Sequence, residues 1–226
     1  VYNILKIPYE FYELDENFMA KLDHNKLGKK DVIIYPNYFG INNQNVLKII
    51  KRFKNVIIDN VHAFYHKLPR QDVVYSARKF FGVPDGAYMY SKKNISFKLN
   101  TDSSHEKFLP LMKKKENGSN ASYEQYLKIE KSFDNTEPKL MSKTTMEILG
   151  SINYENDIKC RIANYNFYHK NLKKKNLLDL QSLDNNVPMV YPFLYTKDVK
   201  NILLKNNIYL PTYYYNSRDL YKENSF

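Results

Sequence analysis

The stretch DVIIYPNYFGINNQNVLKIIKRFKNVIIDN, residues 31–60, decides the fold of this chain. Its two ends, residues 31–36 and 55–60, are short runs rich in β-branched side chains, which is typical of buried strands. Between them, apolar side chains recur with the spacing of one helix face: Val46, Ile49, Ile50 and Phe53. A strand, a helix and a strand in direct succession predict a βαβ unit with parallel strands and a right-handed crossover.

The residues that follow extend the same sheet. The runs DVVYS, residues 72–76, and GAYMYS, residues 86–91, predict two further strands. We therefore predict an α/β domain with a parallel or mixed sheet over residues 1–110. The stretch KKKENGSNAS, residues 113–122, is polar and turn-like, so it predicts a linker or domain boundary over residues 111–140.

Residues 141–226 are predicted to form a smaller α+β domain. Ser142 is a suitable N-cap for a short helix that ends near Gly150, and an apolar stripe predicts one long helix over residues 156–178. Three further elements complete the predicted domain: a strand over 185–195, a helix over 196–207 with Thr196 as its N-cap, and a strand over 208–215.

The amino-acid composition narrows the classes of molecule that the protein is expected to bind. The formal net charge is +11, which suits a nucleic acid, an anionic membrane or an anionic substrate. The lysines are scattered, however, and their runs of three are limited to 113–115 and 173–175. We expect no nucleic-acid partner and keep DNA or RNA binding as a minor alternative. No apolar run approaches the roughly 20 residues that span a bilayer, so we expect no membrane partner.

Cysteine and histidine usage bears on compartment and metal binding. Cys160 is the single cysteine, so no internal disulfide forms, which suits the reducing cytoplasm that we expect. The histidines have no metal-ligand spacing, and there is no paired Cys/His motif. The sequence therefore predicts no metal site.

Three polar residues fall at the carboxyl ends of predicted strands, where parallel sheets bind their ligands. They are Asn37, Asp59 and Lys79. Each also has an ordinary explanation. Asp59 is suited to a helix cap or a salt bridge, and Lys79 to the protein surface. Together, a lysine amine and a buried carboxylate are the two groups that a pyridoxal phosphate enzyme needs, one for the cofactor aldehyde and one for the pyridine nitrogen.

Two neighbouring residues fit the same hypothesis. His62 lies just beyond Asp59, where its ring could lie against the cofactor, although a polar loop histidine is an equal alternative. Ser76 precedes Lys79 by three residues and offers a hydroxyl to the phosphate, while Asn37 is a candidate partner for the phenolic oxygen. We predict that Asp59 and Lys79 point into one cleft at the ends of neighbouring strands.

The segments VIIDNVHAF, residues 56–64, and YSARKFFGVPDGAYMYS, residues 75–91, resemble the fold-type I pyridoxal phosphate enzymes of the DegT/DnrJ sugar aminotransferase family. The likeness extends over about residues 31–215 and includes VPMVYPF and the long helix with Arg161. It implies Asp59 as the pyridinium partner, Lys79 as the Schiff-base lysine, His62 against the ring, and Ser76 and Asn37 as further cofactor contacts.

The resemblance also implies an activity. Members transfer an amino group from a donor to a keto-sugar, usually nucleotide-linked, in surface polysaccharide or lipopolysaccharide biosynthesis, and they act as homodimers. This sequence departs from the pattern in the Ser-Ala-Arg lead-in to Lys79, in a glycine run reduced to Gly82 and Gly86, and in lacking a phosphate-binding loop before residue 31. We therefore interpret the chain as a fragment or a truncated member of the family. The alternative function is a truncated, non-catalytic relative that serves as a binding or interaction domain.

Overall fold

A computed structural model describes residues 5–96, 98–134, 136–195 and 199–214. Its strands are β1 (Glu13–Leu14), β2 (Ala20–Lys21), β3 (Ile33–Pro36), β4 (Val56–Asp59), β5 (Asp72–Ser76) and β6 (Ala87–Tyr90). Its α-helices are α1 (Asn43–Arg52), α2 (His105–Asn117), α3 (Ser119–Ser132), α4 (Lys143–Gly150), α5 (Tyr154–Leu172) and α6 (Lys200–Lys205). Short 3-10 turns occupy 24–26, 38–40, 77–79 and 173–175.

The four longer strands form one mixed sheet in the order β3-β4-β5-β6. The pairs β3–β4 and β4–β5 are parallel, and β6 is antiparallel to β5. The predicted βαβ unit is confirmed, because β3 and β4 are parallel neighbours joined through α1. Burial alternates along β3, β4 and β5, as expected when one face of a sheet packs on a core. That core contains Tyr35, Ile49 and Ile58, each at most 1% exposed.

Residues 113–122 differ from the prediction. They are not a turn-like stretch, because α2 and α3 run through them and pack together as a helical hairpin. Only Gly118 breaks the helix, with a positive φ of 83° that suits glycine. The three lysines and the glutamate that made the stretch look polar are also good helix formers. Whether residues 111–140 divide two domains stays a prediction.

The C-terminal strands are also absent from the part of the chain that is described. Residues 185–195 are irregular, and so are residues 208–214 of the second predicted strand. Pro188, Pro192 and Pro211 interrupt these runs, and a proline has no N–H to donate to a strand ladder. The predicted α+β character of this region is therefore wrong for the described residues, whereas the α/β character of the chain as a whole is confirmed.

The helices of the C-terminal region follow the sequence more closely. Ser142 is the N-cap of α4, since its Oγ accepts the N–H of Thr145 at 3.1 Å. The long helix α5 begins two residues before the predicted start, and a 3-10 turn follows it over residues 173–175. The last helix is confirmed at Lys200–Lys205, and its predicted cap, Thr196, lies outside the described residues.

Candidate functional site

The carboxyl edge of the parallel strands carries a cavity of about 290 Å³. Asp59 ends β4, and Lys79 lies in the 3-10 turn that follows β5 directly. Because β4 and β5 are parallel neighbours, with Asp59 paired to Val74, both residues reach the same edge. The cavity is lined by Pro36, Asn37, Asp59, Val61, His62, Lys79, Tyr213 and Tyr214. The prediction that Asp59 and Lys79 share one cleft is confirmed.

Asp59 presents a half-buried carboxylate to this cavity. Burial raises the pKa of Asp59 above its ordinary value, while the N–H of Val61 and the charge of Lys79 act in the opposite direction. The Val61 N–H donates to Oδ1 of Asp59 at 3.0 Å. One carboxylate oxygen is thus held by the backbone, which fixes the direction of the group.

Lys79 combines a fixed backbone with an available amine. The N–H groups of Phe80 and Phe81 donate to the carbonyl of Ala77 at 3.0 Å and 2.9 Å, and Ala77 is fully buried. Within the described part of the chain, no hydrogen bond or ion pair engages the Lys79 ammonium. The side chain is exposed, so an ordinary surface lysine stays a possible interpretation of the residue alone.

His62 forms an aromatic wall of the cavity. It is 7% exposed, its ring stacks on Phe39 with centroids 6.0 Å apart, and Tyr213 meets it edge-on at 5.6 Å. Burial, assisted by the charge of Lys79, lowers the pKa of His62 to about 4. The imidazole is therefore neutral near pH 7, and it offers a flat uncharged face rather than a second cation.

The backbone beneath His62 is strained. Phe39 has a φ of 59° and a ψ of 5°, a left-handed conformation that is rare for a bulky residue. Gly40 follows with a φ of 73°, and a Cβ there would meet the carbonyl oxygen of His62 at 2.4 Å. Strained backbone of this kind is concentrated at ligand-binding and catalytic sites, because only a well-packed surrounding maintains it.

The other two predicted site residues have different surroundings. Asn37 is fully buried, and its Nδ2 donates to Oδ1 of Asn43 at 2.8 Å and lies 3.1 Å from Nδ1 of His66. Its Oδ1 accepts the N–H of Asn42 at 3.2 Å, so the side chain mainly fixes the loop after β3. Ser76 ends β5, but it is not one of the residues that line the cavity.

Tyr213 and Tyr214 were missed from the sequence, which predicted only a strand over 208–215. Both rings line the cavity, and Tyr214 also packs beside Tyr38 and Phe39. Burial raises the pKa of the Tyr214 hydroxyl, so it stays protonated at neutral pH. The run of three tyrosines at 213–215 is unusual in composition, but no local pattern associates it with a strand edge more than a hundred residues earlier.

Charge is sparse at the lining. Within the part of the chain that the structure describes, Lys79 is the one lysine or arginine of the lining and Asp59 is its one carboxylate. Among the described residues, no group of three or more His, Cys, Asp or Glu side chains is arranged to hold a metal ion. None of the described helices is long and apolar enough to cross a membrane.

Comparison of the chain with protein-family models, curated proteins and solved structures finds no match. The resemblance to the DegT/DnrJ family therefore stays a prediction from the motifs around Asp59 and Lys79. A function has to be argued from the chemistry of the cavity.

Proposed function

We propose that the chain is a pyridoxal phosphate-dependent aminotransferase with a fold-type I architecture. The observation that supports this is the convergence of Asp59, His62 and Lys79 on one cavity at the carboxyl edge of parallel strands. A carboxylate, a neutral aromatic face and an amine with no hydrogen-bond or ion-pair partner among the described residues are the groups that the ring nitrogen, the ring face and the aldehyde of this cofactor require.

The lining residues fit the ring and aldehyde ends of the cofactor. A cavity of about 290 Å³ is near the lower end of the range for small-molecule sites. Phosphate donors are fewer among the described residues, where Lys79 is the one cation of the lining and Ser76 lies outside it. The cavity therefore supports binding of the ring more strongly than binding of the phosphate.

Each residue has a distinct role in this proposal. Bound pyridoxal phosphate supplies an electron sink for amino-group transfer. Asp59 would hold the ring nitrogen, and its hydrogen bond from the Val61 N–H fixes the direction of the carboxylate. His62, neutral near pH 7, would lie against the ring. The Nζ atom of Lys79 would hold the cofactor through its aldehyde and would carry a proton to and from the substrate.

The substrate class rests on the sequence. The net charge of +11 favours an anionic substrate, and the motif resemblance favours a nucleotide-linked keto-sugar of surface polysaccharide or lipopolysaccharide biosynthesis. The proposal includes a cytoplasmic homodimer that takes its amino group from an amino-acid donor such as glutamate.

Covalent labelling tests the proposal directly. The protein is incubated with pyridoxal phosphate, reduced with borohydride and digested, and the modified lysines are identified by mass spectrometry. We expect the label at Lys79, and we expect its loss in both Lys79→Ala and Lys79→Arg, because a guanidinium stays protonated and is not a nucleophile. Asp59→Asn should weaken cofactor binding while the fold persists.

Lys51→Arg on α1 is the matched control, because it changes a lysine remote from the cavity and should leave the Lys79 label unchanged. Equal labelling of Lys51 and Lys79 in the wild-type protein would contradict the proposal. So would a cofactor that binds undiminished after Lys79→Ala.

A second candidate function is a non-catalytic binding domain that retains the scaffold. The scarcity of phosphate donors among the described lining residues favours it. In that case the folded protein takes no specific label at Lys79, so the same experiment separates the two candidates.

A further inference from the structure

The loops that surround the cavity are connected to a single ion pair on helix α5. Nε of Arg161 donates to Oδ2 of Asp157 at 2.7 Å, one helical turn away. Their side chains are 17% and 26% exposed, so the pair is shielded from much of the solvent that weakens surface ion pairs. Asp precedes Arg by four residues, which is the favourable orientation along a helix.

Arg161 contacts the loop that carries Lys79. Its Nη2 donates to the carbonyl of Phe80 at 2.8 Å, and its guanidinium carbon lies 4.5 Å from the centre of the Phe80 ring. Phe80 follows Lys79 directly and closes the 3-10 turn. The guanidinium therefore holds both the backbone and the side chain of the residue next to the proposed cofactor lysine.

The same side chain reaches the loop after β3 through one intermediate. Nη1 of Arg161 donates to the carbonyl of Met189 at 3.4 Å, and the N–H of Met189 donates to the carbonyl of Phe39 at 2.8 Å. Phe39 is the left-handed residue whose ring stacks on His62. Arg161 is thus connected to the strained wall opposite the Lys79 turn.

Asp157 contacts the third loop of the cavity, the loop after β4. The Tyr65 hydroxyl donates to Oδ2 of Asp157 at 2.5 Å, and the Tyr65 ring meets Phe80 edge-on at 5.8 Å. The loops after three neighbouring strands therefore converge on two side chains that lie about eighty to a hundred and twenty residues later in the chain.

We propose that Arg161 and Asp157 are positioning residues that hold the three loops of the cavity in register, and so direct Lys79 toward Asp59. The role assigned to Lys79 rests on the proposed function, whereas the connection of the loops does not. A guanidinium suits this task because its planar, branched donors serve three acceptors at once, and the ammonium of a lysine is a single point.

Amide hydrogen exchange tests the connection without any cofactor. In Arg161→Gln we expect exchange at the amides of Phe81, His66 and Met189, one for each loop contact, to accelerate together by about tenfold or more. The core amide of Ile58 should stay protected. Asp157→Asn should have a similar effect, and it is the second variant should Arg161→Gln fail to fold. Acceleration in only one loop, or equally throughout the sheet, would overturn the connection.

Arg52→Gln is the matched control. Arg52 also donates to a backbone carbonyl, that of Leu22 at 3.1 Å, and lies over a phenylalanine, Phe53 at 5.1 Å, but it does not line the cavity. Its variant should leave the three loop amides unchanged. A general consequence of removing any arginine that stacks on a phenylalanine would appear in both variants.

Pyridoxyl labelling tests the effect on Lys79. We expect Arg161→Gln to reduce labelling of Lys79 about tenfold, because a small misplacement of a reacting group is costly, while labelling of Lys51 is unaffected. Arg161→Lys should restore only part of it. Unchanged Lys79 labelling in a variant whose loops exchange faster would overturn the positioning role. Absence of a Lys79 label in the wild-type protein would instead overturn the proposed function, and exchange would still decide the connection of the loops.

Discussion

The sheet region, residues 33–90, and the C-terminal region, residues 143–214, are stabilised in different ways. The first buries a continuous apolar core between the sheet and α1. Among the described residues of the second, the buried apolar side chains are fewer: Leu149, Tyr165, Leu180, Pro188 and Pro192. The C-terminal region is attached to the sheet region by polar contacts of Arg161, Asp157 and Met189 with its loops, and by a small apolar cluster in which Leu149 packs with Ala77 and Val83.

This difference separates stability from site geometry. The sheet region holds most of the buried apolar side chains of the described residues, so it should supply most of the hydrophobic stabilisation, which scales with apolar area removed from water. The C-terminal region adds little core, but it supplies Tyr213 and Tyr214 to the cavity and the Arg161–Asp157 pair to its loops. A site of this kind can lose its geometry before the protein loses its fold.

The largest expected effect compares a buried aliphatic residue of the sheet region with an exposed aliphatic residue of the C-terminal region. Ile58 is fully buried in β4, so Ile58→Ala should lower the free energy of unfolding by about 2–5 kcal/mol. Leu204 on α6 is 40% exposed, so Leu204→Ala should change it by less than about 0.5 kcal/mol. Urea denaturation of both variants checks this, and similar losses would remove the distinction between the regions.

The second effect is the loss of folding stability at acid pH. Burial lowers the pKa values of both His62 and His66 to about 4, from an ordinary value of 6.5. Between these values the unfolded chain binds protons that the folded chain does not. Stability is therefore complete above about pH 6.5, falls as the pH decreases, and reaches its full loss below about pH 4. At pH 5 each histidine should account for up to about 2 kcal/mol.

Denaturation at pH 7 and pH 5 measures this loss. His66→Gln should remove roughly half of it, whereas His105→Gln should remove none, because the His105 side chain is 79% exposed on the helical hairpin. A wild-type pH dependence in His66→Gln would show that the loss of stability in acid does not come from His66.

The smallest effect tests the start of the C-terminal region. Ser142→Ala removes the N-cap of α4 and should cost about 1 kcal/mol of stability. Ser151 is exposed at the other end of the helix. Its hydroxyl donates to the carbonyl of Ile148. Ser151→Ala should cost less than about 0.5 kcal/mol. Thermal denaturation of the two variants distinguishes a specific cap from a general effect of removing a hydroxyl. If the effect were general, the two variants would lose the same stability.

The sequence was informative wherever a few adjacent residues carried the signal. The β-branched runs and the helical stripe of 31–60 predicted parallel strands, and parallel strands bring Asp59 and Lys79 to one edge. The Ser142 N-cap was predicted equally well, since a cap depends on residues within one helical turn. Residues 113–122 misled the prediction because lysine and glutamate favour both a solvated surface and a helix.

What the sequence determined by itself was the sheet, its polarity and the pair of residues at its edge. Tertiary structure alone decided what surrounds that pair. Tyr213 reaches His62, and Arg161 reaches Phe80 across 81 residues, because chain segments without any local signal are packed together. The physical reason is the distance along the chain over which each kind of interaction acts. Periodicity and capping reflect interactions among near neighbours in the chain, whereas a cavity wall is selected by packing and hydrogen bonding among segments that meet only after folding.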